Sequence, residues 1–221
     1  MGINWWVSDI LSDRQLGPTI LAAWVFWVVF SIVLHELSHG WMAIRCGDNT
    51  PIYSGHMTWN PIVHMGWFSL VVFMLIGIAW GAMPVDSSRL RGRYDEAKVA
   101  IAGPLMNVLL AIVCVVGSVV TFKLGAASGG DTFTKFTIFF ATGGMINIVL
   151  FMFNMLPLFP LDGGRIVASF FPAYGRLFAS QGAMIFALIM FYLLMSRFAG
   201  TMFSVAKAAF NQTVAGVLTL F

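Results

Sequence analysis

Charge is scarce in this chain. Only 10% of its 221 residues are Asp, Glu, Lys or Arg, against about 25% in an ordinary soluble domain. Cysteine is nearly absent as well. Cys46 and Cys114 stand alone and far apart, which excludes a disulfide framework and a cysteine metal knuckle and leaves two buried thiols. No basic stripe is present: 12 Lys and Arg face 9 Asp and Glu, for a net charge of +3. A nucleic-acid partner is therefore not expected. There is no internal repeat and no low-complexity tract. Residues 1–17 lack a basic leader and are interrupted by Asp9, Asp13 and Arg14, so they do not read as a cleavable signal peptide.

What the chain has in abundance is apolar surface. It is 59% hydrophobic, with 21 Phe, 14 Met and 8 Trp, and its mean hydropathy is +0.88. Long apolar runs joined by short polar stretches are what a bilayer requires of helices. The expected fold class is an all-α polytopic membrane protein, one domain over residues 1–221, with spans at 19–44, 99–120, 136–156 and 179–195. Residues 3–16 read as an interfacial lead-in. In 50–60, Ile52, Tyr53, Met57, Thr58 and Trp59 suit short strands with Gly55 as a bend, which predicts a small β hairpin at the membrane surface. The tail 199–221 is apolar but carries Lys207, Asn211 and Gln212, as an interfacial helix or a weak final span would.

Within the first span lies His35-Glu36-Leu37-Ser38-His39. The i,i+4 spacing puts both imidazoles on one helix face, where they can hold one tetrahedral ion. Glu36 beside them can take a proton from an attacking water. Two histidines and a glutamate inside a membrane helix are costly unless something pairs with them, which weighs against two merely packed histidines. A third ligand is needed, and Asp162 is the best candidate. It sits in Pro157-Leu158-Phe159-Pro160-Leu161-Asp162-Gly163-Gly164, where prolines and glycines break the helix and let the chain approach a metal. The alternative for Asp162 is a helix cap.

His35 and His39 lie toward the end of the first span, and Asp162 lies just past the end of 136–156. They can meet only if those two helices run parallel. Counting spans, residues 65–83 must then enter and leave on one side, as a re-entrant segment, and Gly77, Gly81 and Pro84 suit such a return. Arg45, Arg89, Arg91, Arg93, Lys98, Arg165 and Arg176 then share one face, the cytoplasmic one by the positive-inside rule. Lys123, Lys135 and Arg197 fall on the other. Asn107 and Asn147 read as helix–helix hydrogen-bonding amides. Gly143-Gly144 reads as a close helix approach, and Gly103-Pro104 as the shaping of a helix start.

The same residues resemble the site-2 protease family of intramembrane zinc metalloproteases, in its compact prokaryotic-type branch. The HExxH at 35–39 is the first likeness. Ala102-Gly103-Pro104-Leu105-Met106-Asn107 is similar to the family's AGPxxN, and 154–164 to its NxxPxxPLDGG. Residues 55–64 resemble a loop that reads near GRLTLNPxxH, but His56 replaces a common Arg and Met65-Gly66 stands where Ile-Asp-Pro is usual. The likeness covers roughly 20–170. It implies a site-2-protease-like helical core with one zinc ion per chain on His35, His39 and Asp162. Glu36 would be the catalytic base, and Asn154 would help hold the substrate carbonyl or oxyanion. Substrates would be membrane proteins cut within their transmembrane helices, in the prokaryotic cytoplasmic membrane. A strand edge in 50–60 would receive the unwound substrate, and His64 would line a water route or be an ordinary interfacial histidine. The competing expectation is a catalytically inactive metal-binding scaffold or a metal transporter.

Overall fold

The computed structural model describes residues 6–128, 131–178 and 180–220. In chain order it contains α1 (Trp6–Leu11), α2 (Gly17–Arg45), α3 (Thr50–Tyr53), α4 (Pro61–Ile76), α5 (Asp95–Ser128), α6 (Asp131–Asn154), α7 (Asp162–Phe170), α8 (Pro172–Leu177) and α9 (Gln181–Thr219). Among the described residues, Gly17–Arg45, Asp95–Ala127 and Asp131–Asn154 are long and apolar enough to cross a membrane. The protein is an integral membrane protein of helices.

The helices α2, α5 and α6 form the centre, and small residues let them approach. Trp27 is buried on α2, its Nε1 donating to the Phe139 carbonyl of α6 at 2.9 Å. A Cβ on Gly143 would collide with the Trp27 ring, and one on Gly144 with Phe210 of α9. Aromatic knobs thus sit in glycine notches, the van der Waals packing that replaces the hydrophobic effect between helices in lipid. The N-terminal half of α2 meets the N-terminal half of α6, and Asp162, at the start of α7 after α6 ends, meets the C-terminal half of α2. The two helices therefore run parallel, as the metal argument required. Helix α5 runs against both: its residue 99 lies by His39, its residue 107 by His35, and Cys114 joins the cluster around Trp27.

The chain between α2 and α5 consequently starts and ends on one side. Helix α4 stops at Gly77, and residues 78–86 return without helix or strand. Ala82 N–H donates to the His64 carbonyl at 2.9 Å, and the Ser69 hydroxyl both accepts from Trp80 N–H (2.9 Å) and donates to Trp80 C=O (2.8 Å). Inside α4, Gly66 has φ 66° and ψ 159°, which a side chain would resist. The departure at Met65-Gly66 thus marks a break that follows His64.

Two expectations are corrected. No strand forms in 50–60, nor elsewhere among the described residues. Asp48 accepts from Thr50 N–H and Oγ1, Pro51 sits in the first turn of α3, and Pro there is already set for a helix. Gly55, at φ 71°, then closes that turn: its N–H reaches Ile52 C=O and that of His56 reaches Pro51 C=O, the paired bonds of a helix stop. Local capping outweighs the β propensity of Ile52, Tyr53 and Thr58, because no neighbouring strand offers a ladder. The second correction concerns the C-terminal region. The division between a span at 179–195 and a tail at 199–221 is absent, since one 39-residue helix runs through both. Residue 179 lies outside the described residues. Ala206 and Phe210 are buried in the core, and Phe203 stacks on Trp24 with centroids 5.7 Å apart. Lys207, Asn211 and Gln212 point outward.

Candidate metal centre

The i,i+4 geometry of α2 brings the two imidazoles together as the sequence implied. Their Nε2 atoms are 3.0 Å apart. Asp162, in the first turn of α7, places Oδ2 3.1 Å from His35 Nε2 and 3.3 Å from His39 Nε2. All three side chains are buried. Asp162 reaches this depth because the chain after α6 folds tightly on itself. A Cβ on Gly164 would stand 2.7–2.8 Å from the backbone of Leu158 and Phe159, and one on Gly163 would strike the Leu156 carbonyl.

The hydrogen bonds behind the histidines define what this triangle can hold. His39 Nδ1 faces the Val99 carbonyl at 2.7 Å. A carbonyl only accepts, so Nδ1 carries the proton and Nε2 of the neutral ring is a bare lone pair. His35 Nδ1 faces Asn107 Oδ1 at 2.7 Å, with the same consequence. Asp162 Oδ2 is buried without a hydrogen-bond donor. Three acceptors turned on one another at about 3 Å repel unless a cation lies among them. Two imidazole nitrogens and a carboxylate oxygen with one side open are a donor set that suits a tetrahedral metal ion. This is the one cluster of three or more His, Cys, Asp or Glu with such geometry among the described residues.

The open side is a cleft of about 660 Å³ that His35, Glu36, His39 and Asp162 all line, together with Asn154 and Arg165. Among the described residues the Glu36 carboxylate has no hydrogen-bond partner. Gly81 of the returning run passes so near that a Cβ there would be 2.8 Å from Glu36 Oε1. Asn154 donates one amide hydrogen to Leu150 C=O at 3.1 Å, which leaves its second N–H available. The whole run from Ile78 to Met83 borders the cleft, whereas His56 and His64 do not. His64 Nε2 instead donates to the Thr58 carbonyl at 2.7 Å.

Three residues near the metal cluster have roles that the sequence reading did not give them. Gly103 lies flat against both imidazoles, so that a Cβ would be 2.6 Å from His35 Nε2 and nearer still to His39 Nε2. Asn107 does bond across helices, but to His35 as well as to Asn147. The Val99 carbonyl is a main-chain group and leaves no trace in residue identity. The AGPxxN spacing was the available signal: positions 103 and 107 are one helical turn apart and so share a face.

A polytopic helical membrane protein with a buried two-histidine, one-carboxylate cluster and a free glutamate on the adjoining cleft has the make-up of a membrane metallopeptidase. The chain belongs to peptidase family M50, whose family model matches residues 23–135 and 124–197. It is thereby a peptide hydrolase, in keeping with the likeness to site-2 proteases in its motifs. It is similar to two putative zinc metalloproteases, YwhC of Bacillus subtilis (strain 168) and MJ0611 of Methanocaldococcus jannaschii. To YwhC it is 34% identical over 67% of this chain and 68% of that protein. To MJ0611 it is 33% identical over 73% of this chain and 77% of that protein. Zinc metalloprotease MJ0392 of the same archaeon is 27% identical over 69% of this chain but only 37% of its own length. No solved structure matches the chain.

Proposed function

We propose that the protein is a zinc-dependent intramembrane endopeptidase that cuts transmembrane segments of other membrane proteins. The observation that carries this reading is the convergence of His35 Nε2, His39 Nε2 and Asp162 Oδ2 within 3.0–3.3 Å of one another, beside an unpaired Glu36. These three atoms would hold one zinc per chain, which supplies Lewis acidity that activates water near neutral pH and polarises a carbonyl. Glu36 accepts the proton of the attacking water and returns it to the leaving amine. The second Asn154 N–H donates to the oxyanion that develops on the scissile carbonyl.

A helical substrate hides its carbonyls and must unwind to be cut. The run 78–83 supports a place for it. Trp80 and Ala82 spend their N–H groups on Ser69 and His64, and those of residues 79, 81 and 83 take no part in these bonds. Among the described residues none of these three N–H groups makes a backbone hydrogen bond, so an unwound substrate can pair there by strand addition. This run replaces 50–60 as the expected edge. The segment 65–83 is then re-entrant. The site opens to the cytoplasm, because Arg45, Arg89, Arg91, Arg93, Lys98 and Arg165 all lie at the α2 C-terminal end.

An inactive scaffold has no use for an unpaired carboxylate buried beside the metal ligands. A transporter needs further ligands along a path, and none gather among the described residues. The test is purified protein in detergent with a membrane-embedded substrate. Wild type should carry one zinc and cleave. Glu36→Gln should keep zinc and lose roughly 10²–10⁴-fold in rate. Full cleavage by Glu36→Gln defeats the mechanism.

A further inference from the structure

We propose that Asn147 is a positioning residue for the metal centre, one that fixes the tautomer of His35 from two side chains away. It borders neither the cluster nor the cleft, and both it and Asn107 are 0% exposed. The inference rests on the metal-binding reading above.

The two histidines are oriented differently. His39 Nδ1 meets a main-chain carbonyl, which admits only one arrangement. His35 Nδ1 meets an amide, and an amide can present either its oxygen or its NH₂. Were Asn107 turned over, its NH₂ would face His35 Nδ1. The imidazole proton would then have to sit on Nε2, aimed at His39 Nε2 and Asp162 Oδ2, where the cation belongs.

Asn107 is held the right way by its other end. Its Nδ2 donates to Asn147 Oδ1 at 3.0 Å. Asn147 is also an amide and could also turn, but its Nδ2 donates to the Gly143 carbonyl at 2.9 Å. That carbonyl is an acceptor and nothing else. Direction therefore runs one way, from the α6 backbone through Asn147 and Asn107 to His35. Gly143 itself is locked under the Trp27 ring, whose Nε1 is bonded to the next turn of the same helix. Three helices thus specify one proton position. Each outer hydrogen bond sets the next, as partners behind metal-bound histidines do.

The test is zinc affinity of the full chain in detergent, by competition with a chromophoric chelator, with no substrate present. Asn147→Leu, which leaves Asn107 free to turn, should weaken zinc roughly 10–100-fold. Asn107→Asp added to Asn147→Leu should recover affinity to within about threefold of wild type, because a carboxylate accepts from His35 either way round. A merely structural role predicts the opposite, since a buried charge added to a damaged core weakens it further. Unchanged affinity in Asn147→Leu, or a loss that Asn107→Asp does not recover, overturns the proposal. Should Asn147→Leu fail to fold, Asn147→Asp carries the test, because a carboxyl there still accepts from Asn107 Nδ2 and, when protonated, donates to the Gly143 carbonyl: zinc within about threefold of wild type supports the relay, and a loss of about tenfold or more overturns it. Failure of wild type to bind zinc would instead sink the metal reading itself.

Discussion

Gly103→Ala offers a sharp steric probe of the metal centre. A Cβ at this position would stand 2.6 Å from His35 Nε2 and Cε1 and closer to His39 Nε2, whereas ordinary contact begins at 3.4 Å. Neither ring can retreat freely, because His35 is tied to Asn107 and His39 to the Val99 carbonyl, each at 2.7 Å. The shortfall of about 0.8 Å at His35, and more at His39, must be met by displacing the imidazoles or by prising α5 from α2. Misplacement by about 1 Å costs on the order of 10²-fold in catalysis, so Gly103→Ala should lower kcat/KM toward a membrane-embedded substrate by about that factor. Zinc affinity should fall as well. The control is Gly200→Ala on α9, where a new Cβ meets nothing within 4 Å and helix propensity rises by about 1 kcal/mol. That variant should cleave normally and melt no lower than wild type. Near-wild-type cleavage by Gly103→Ala would refute the close approach of α5 to the ligands.

Two further outcomes are expected. The buried Asp48 carboxyl is disfavoured as an anion by burial, but the Thr50 hydroxyl and N–H and the Asp86 N–H hold its pKa below the ordinary value. Its contribution to stability is therefore complete above the unfolded-state value of about 3.9 and is lost as pH falls through the lower folded value. Melting temperature should drop in that acid window, and a Tm profile that Asp48→Asn leaves unchanged there would contradict the role. Phe210→Ala should empty the Gly144 notch and destabilise the fold by roughly 3 kcal/mol, seen as a lower Tm in detergent with zinc stoichiometry unchanged; an unaltered Tm would mean that α9 is not docked as described.

How much of this was legible beforehand depends on the range over which each feature is encoded. The pairing of His35 and His39 follows from four residues of spacing and needs no fold. Asp162 is marked by the prolines and glycines that break the helix around it, and its meeting with the histidines then dictates the directions of the spans. The loop at 50–60 misled because its β-favouring side chains are visible in composition, while the capping by Asp48 and Gly55 that overrides them depends on particular backbone bonds. Helix α9 misled in the opposite sense. Lys207, Asn211 and Gln212 marked the tail as peripheral, yet Phe203, Ala206, Phe210 and Val214 recur at intervals of three and four and form the face that packs. The role of Asn107 toward His35 depends on how α5 is rotated about its axis relative to α2, which spacing within one helix does not specify.

The irregular backbone of this protein is concentrated where its chemistry is. Residues 78–83 and 155–161 lie outside regular helix, and in the proposed topology they sit at membrane depth, where lipid does not tolerate irregular backbone on an exposed surface. Here both stretches border the cleft or fold against protein, and their polar groups are met by Ser69, by the His64 carbonyl and by turns within 155–161. The backbone groups left over at 79, 81 and 83 need a partner, and so does a substrate helix that has been unwound to expose a scissile bond. Each side carries a penalty that pairing with the other removes, at about 1 kcal/mol net for each hydrogen bond formed. Gly81 brings that run against Glu36, so in the proposed mechanism an unwound chain paired there would lie beside the group proposed to accept the proton. The proposed mechanism therefore predicts a preference for transmembrane segments that unwind easily.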